Sequence, residues 1–122
     1  MSRFQRGSTI VVLIAVLSLV AAMSAFGGSA AATTIAVTAG KPSELKFTLS
    51  KTVAAKGAFT FRVTNKGKVS HDFKIAGKKT ATLKPGRVGS VSAILKPGRY
   101  AFLCTVPGHA AGGMKGTFTV RR

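Results

Sequence analysis

From Thr33 to the end of the chain, apolar and polar residues take turns. Phe59, Phe61 and Val63 alternate with Thr60, Arg62 and Thr64, and Leu45, Phe47 and Leu49 alternate with Lys46 and Thr48. Val91, Ala93 and Leu95 repeat the pattern, as do Tyr100, Phe102 and Cys104. Thr33–Ala39, Ser70–Ala76 and Lys115–Val120 complete the set, each with β-branched or aromatic residues at alternate positions. A period of two with one apolar face predicts half-buried antiparallel strands. Turn signals separate the runs: Lys41-Pro42, Asn65-Lys66-Gly67, Ala76-Gly77-Lys78, Lys84-Pro85-Gly86 and Lys96-Pro97-Gly98. Seven short strands at this spacing predict an all-β sandwich. Lys51–Gly57 lacks the alternation and is expected to be an irregular or helical crossover.

The first thirty residues follow a different pattern. A short basic segment, Met1–Arg6, precedes an apolar run from Ile10 to Phe26 and then the small residues Gly27-Gly28-Ser29-Ala30-Ala31-Ala32. That order is expected of a secretory signal over 1–31, cleaved ahead of one domain over 32–122. The apolar run is shorter than the roughly 20 residues that span a bilayer. An uncleaved membrane anchor is the alternative. Either way the domain is expected outside the cytoplasm: periplasmic, at the cell surface or secreted.

Charge adds a second constraint. The chain holds 19 Lys and Arg against 2 acids, a net charge of +17. Without Arg3 and Arg6 the exported domain carries about +15, with Glu44 and Asp72 as its acids. Such an excess favours anionic partners. Export argues against nucleic acid, and the basic residues are dispersed rather than blocked. They serve either solubility or docking to an acidic partner.

Candidate chemistry sits near the C-terminus, in Cys104-Thr105-Val106-Pro107-Gly108-His109-Ala110-Ala111-Gly112-Gly113-Met114. Cys104 is the single cysteine, so it forms no disulfide within the chain. An unpaired thiol in an oxidising compartment needs burial, a partner chain or a metal. Alone, a buried Cys or Met is ordinary core material. Together, one thiolate, one thioether and the two imidazoles of His71 and His109 match a copper site with His₂Cys and a weak axial Met. Cys104 ends the inward-facing Tyr100-Phe102-Cys104 alternation, and the glycines beyond it let the loop fold back over one point.

The stretch from Tyr100 to His109, continuing to Met114-Lys115-Gly116-Thr117, resembles the copper-binding end of the cupredoxins, the type 1 blue copper proteins. It is most like the azurin and auracyanin branch, with four residues between Cys and His. Asn65-Lys66-Gly67 and Ser70-His71-Asp72-Phe73 resemble the family's first-histidine segment. Many relatives have Asn where this chain has Asp72. The resemblance implies a Greek-key β-sandwich of seven or eight strands binding one copper. His71, Cys104 and His109 would be its strong equatorial ligands and Met114 the weak axial one.

Four protein ligands leave no open position for a substrate, so the expected function is outer-sphere electron transfer and not catalysis. With Glu44 and Asp72 as its acids, the chain also offers little for general acid–base chemistry. The expected partner is a redox protein that is acidic at its docking surface and meets a monomeric carrier at the small, apolar loop around His109. Two alternatives stand beside this reading. One is an extracytoplasmic copper carrier or buffer using the same ligands. The other is a basic surface-binding protein in which Cys104 is a buried thiol without metal.

Overall fold

A computed structural model describes residues 31–122. The expected export segment lies outside these residues except for its last position. Among the described residues the chain forms nine strands: β1 (Thr33–Ala39), β2 (Phe47–Leu49), β3 (Val53–Ala55), β4 (Gly57–Asn65), β5 (Lys74–Ile75), β6 (Lys78–Lys79), β7 (Val88–Leu95), β8 (Gly98–Leu103) and β9 (Lys115–Arg121). They make two sheets, ordered β2-β1-β4-β7 and β3-β9-β8-β5-β6. The architecture is the expected all-β sandwich. The seven anticipated runs each contribute a strand, and β3 and β6 are short additions.

The alternation read from the sequence decides which face of each strand is covered. Along β4, Phe59, Phe61, Val63 and Asn65 are buried, and along β7 so are Val91, Ala93 and Leu95. β4 and β7 pair antiparallel, with Phe61 opposite Val91 and Phe59 opposite Ala93. This register places both apolar sets on one face. It also turns Ile94 outward, 84% exposed, although the residue is as apolar as its neighbours. From the other sheet, Phe102 and Phe118 face the same core.

Aromatic rings join the layers. Phe61 meets Phe118 edge-on at 5.2 Å between centroids and lies 5.6 Å from Phe73. Phe73 in turn stacks on Phe102 at 5.4 Å and takes the edge of Phe47 at 5.3 Å. Offset and edge-on pairs at these separations add to the stabilisation from area burial alone. The ring cluster includes Phe73, two residues after His71, so the core reaches the segment that carries the first candidate ligand.

Three local features depart from the sequence expectations. Lys51–Gly57 is not helical: Val53–Ala55 forms β3, parallel to β9, with Val53 opposite Thr119 and Ala55 opposite Arg121. Its burial alternates, with only Ala54 inside, but Val53, Ala54 and Ala55 are all apolar, so the sequence shows no alternation. The sheets are also mixed, because β1 runs parallel to β4 along its whole length, from Thr33 opposite Phe59 to Ala39 opposite Asn65. Finally, Ser70–Ala76 is a strand only at Lys74–Ile75. Ahead of it the backbone leaves the ladder. The Phe73 N–H goes to Thr80 Oγ1, and His71 pairs with Leu83 through Leu83 N–H to His71 O at 2.7 Å and His71 N–H to Leu83 O at 3.0 Å.

Phe61 is fully buried at the centre of the ring cluster. Phe61→Ala should cost about 3–5 kcal/mol of stability in denaturant unfolding. Ile94→Ala should stay within about 0.5 kcal/mol of the parent, as expected for an exposed position.

Candidate metal centre

Three loops meet at one end of the sandwich. Gly40–Lys46 joins β1 to β2, Lys66–Phe73 joins β4 to β5, and Cys104–Met114 joins β8 to β9. The first two touch so closely that a side-chain carbon on Gly40 would lie 2.5 Å from Gly67 Cα. Gly40 also has φ of +85°, a region that suits glycine. Asn65, fully buried, braces the second loop from within. Its amide donates to Val69 O and Leu83 O, both at 2.8 Å, and its Oδ1 accepts from Gly67 N–H at 2.8 Å.

The third loop is closed by its own backbone. His109 N–H donates to Val106 O and Met114 N–H to His109 O, both at 3.0 Å, and Cys104 N–H donates to Met114 O at 3.1 Å. The last two bonds return Met114 to the level of Cys104. Met114 is fully buried, His109 half-buried, and Pro107, Gly108, Ala111 and Gly112 exposed around it. His109 thus reaches solvent among small apolar residues, as the sequence suggested.

One donor atom from each of His71, Cys104 and His109 lies within 4.8 Å of the others. His71 Nδ1 is 3.2 Å from His109 Nδ1, and Cys104 Sγ is 3.5 Å from the same His109 nitrogen. His71 and Cys104 are almost wholly buried. Two imidazole nitrogens and a sulfur converging from two loops, His71 on one and Cys104 and His109 on the other, form a donor set of the kind that fits copper. Thus His71, Cys104 and His109 come together as the sequence suggested, with Met114 buried at the end of the same loop.

Comparison with known proteins agrees with this geometry. The model of the cupredoxin-like domain matches residues 9–120. The chain belongs to that family. Its fold is similar to auracyanin B, at 26% identity over 75% of this chain and 90% of that one, with a TM-score of 0.63. It is also similar to auracyanin A, a blue copper protein of the green thermophilic photosynthetic bacterium Chloroflexus aurantiacus. There the identity is 23%, over 73% of this chain and 98% of that one, at a TM-score of 0.60. Rusticyanin of Thiobacillus ferrooxidans matches at 21% identity over 76% of this chain and 79% of that one, with a TM-score of 0.62. The last two likenesses concern the fold alone. No curated protein matches the chain in sequence.

Within this cupredoxin the two acids take up positions around the donor cluster. Asp72 is 2% exposed. Its Oδ1 accepts from Thr105 N–H at 2.6 Å and its Oδ2 from the Thr105 hydroxyl. The backbone N–H of Asp72 points at Cys104 Sγ at 3.4 Å. The carboxylate therefore ties the His71 loop to the Cys104 loop.

Glu44 is the residue that sequence reasoning missed. Its Oε1 lies 2.9 Å from His71 Nε2 and accepts from Lys68 and Val69 N–H, both at 2.9 Å, while Oε2 accepts from Lys68 N–H at 3.0 Å. The Lys68 N–H above all, then that of Val69, holds the carboxyl down to about 2. Glu44 is thus ionised, and neutral His71 must present Nε2–H to it, which leaves Nδ1 as a lone pair facing the cluster. The one signal in the sequence was scarcity: two acids against 19 basic residues.

Burial raises the Cys104 thiol above its ordinary pKa, against the pull of the Asp72 and Val106 N–H groups. At neutral pH the metal-free protein therefore holds Cys104 as a buried thiol with little thiolate. A disulfide reagent should label it far more slowly than free cysteine, and denaturant should restore the free-cysteine rate.

Proposed function

We propose that this cupredoxin is a mononuclear type 1 copper electron carrier acting outside the cytoplasm, with His71, Cys104 and His109 as strong ligands and Met114 as the weak axial one. The convergence of His71 Nδ1, His109 Nδ1 and Cys104 Sγ within 4.8 Å carries this reading. Membership of the cupredoxin-like family, matched over residues 9–120, lends it support. Bound copper would supply a one-electron couple, Cu(II)/Cu(I), with no bond made or broken in a substrate.

The chain's own groups do the rest. Cys104 must give up its proton to bind metal, so loading releases a proton and weakens as pH falls. The Asp72 N–H then faces a sulfur bearing negative charge, and a hydrogen bond to a charged acceptor is stronger than one to a neutral thiol. His71 is held on both sides, its backbone by Leu83 and its Nε2 by Glu44. Cys104 and Met114 are tied to each other through the backbone. Donors held this firmly move little when the charge between them changes, which is what rapid outer-sphere exchange requires. His109, half-buried among Pro107, Gly108, Ala111 and Gly112, is the one imidazole of the cluster near solvent and gives the electron its way out.

Cu(II) added to reduced apoprotein should bind one per chain and produce an intense visible sulfur-to-copper charge-transfer band, absent in Cys104→Ser. A colourless complex, or colour that survives the substitution, overturns the reading.

The charge of about +15 on the exported domain has no counterweight beyond the two acids. It should speed encounter with an acidic redox protein. Stopped-flow rates with such a partner should exceed those with a basic one. They should fall as salt rises, since the screening length is about 8 Å at physiological ionic strength.

A further inference from the structure

We propose that Glu44 is a positioning residue for the copper site, fixing the ring of His71 and lowering the reduction potential through its negative charge. This rests on the copper reading above and goes beyond it, because Glu44 comes from the β1–β2 loop and holds none of the metal-facing atoms.

Three observations carry it. The first is contact: Oε1 sits 2.9 Å from His71 Nε2, on the side of the ring opposite the nitrogen that faces His109. A carboxylate on the outer nitrogen of a ligating imidazole fixes its tautomer and raises its basicity. The second is construction. A side-chain carbon on Gly67 would lie 2.5 Å from Glu44 Oε1 and 2.9 Å from His71 Nε2, so residue 67 has room for glycine only because this pair fills the space. The third is charge. Of 122 residues two are acidic, and both end at this cluster, Glu44 on His71 and Asp72 beside Cys104.

A fixed negative charge one imidazole away from the metal stabilises Cu(II) more than Cu(I). Lys41, Lys66 and Lys68 line the groove beside Glu44 and pull the other way. Solvent screens their exposed ammonium groups, whereas Glu44 is in direct hydrogen-bond contact with the ligand. A carboxylate serving only to staple Lys68 and Val69 would leave the potential where it was once an amide took over the staple.

Two variants separate charge from geometry. In Glu44→Gln the amide oxygen can keep the Oε1 contacts while the charge is lost. In Glu44→Ala both are lost. In metal-free protein at mildly alkaline pH, ¹⁵N spectra should show His71 protonated at Nε2 in the parent and in Glu44→Gln, and a mixture of tautomers in Glu44→Ala. After copper loading, both variants should have a higher potential than the parent. Glu44→Ala should also lose about 10–100-fold in copper affinity. An Nδ1–H tautomer in the parent, or a parental potential in both variants, overturns the proposal. A parent that takes up copper without colour overturns the blue-copper reading and the redox half of this one. The tautomer measurement then still decides whether Glu44 positions His71.

Discussion

The Asp72 carboxylate, all but inaccessible to solvent, joins the segment that carries His71 to the segment that carries Cys104. Burying an ionised carboxylate costs several kcal/mol unless its oxygens are satisfied. Here Thr105 supplies two donors, and the exposed Lys79 ammonium lies 3.9 Å away. The Asp72 backbone N–H reaches the cysteine sulfur, so one residue sets the spacing between loops and the polarity at Cys104 together.

Around that tie the site is assembled from backbone contacts more than from side-chain bulk. Gly40 against Gly67, Asn65 inside its own loop and Cys104 against Met114 each bring main chain to within hydrogen-bond or van der Waals range. The aromatic cluster beneath, from Phe59 through Phe61 and Phe73 to Phe102, gives the loops a floor that resists displacement. Closely packed interiors transmit strain. A change in that floor should therefore be felt at the donors above it.

Much of this was legible in the chain. Strands β1, β4, β7, β8 and β9 announce themselves because one face of each is buried and the other wet. Cys104, His109 and Met114 are legible because one loop holds all three, so spacing alone speaks for them. β3 was not legible: Val53, Ala54 and Ala55 are all apolar and show no polar alternation, and its parallel pairing with β9 depends on a distant partner. The parallel course of β1 beside β4 was hidden for a similar reason, since alternation reports faces and not direction. Glu44 and the Asp72–Thr105 tie act across 27 and 33 residues, and only the folded chain brings those positions together. The Asp at position 72 was visible as a departure from the Asn of the resemblance, but its tie to Thr105 was not.

Both acids are drawn to the donor cluster, Glu44 in hydrogen-bond contact with His71 and Asp72 with the Lys79 ammonium 3.9 Å away. The other lysines and arginines among the described residues face solvent, with no Asp or Glu side chain of those residues paired to them. Like charge of this size opposes the close approach of two copies. Under the proposed electron transfer, exchange between an oxidised and a reduced copy would therefore be held back by the protein's own charge, and added salt would relieve the restraint.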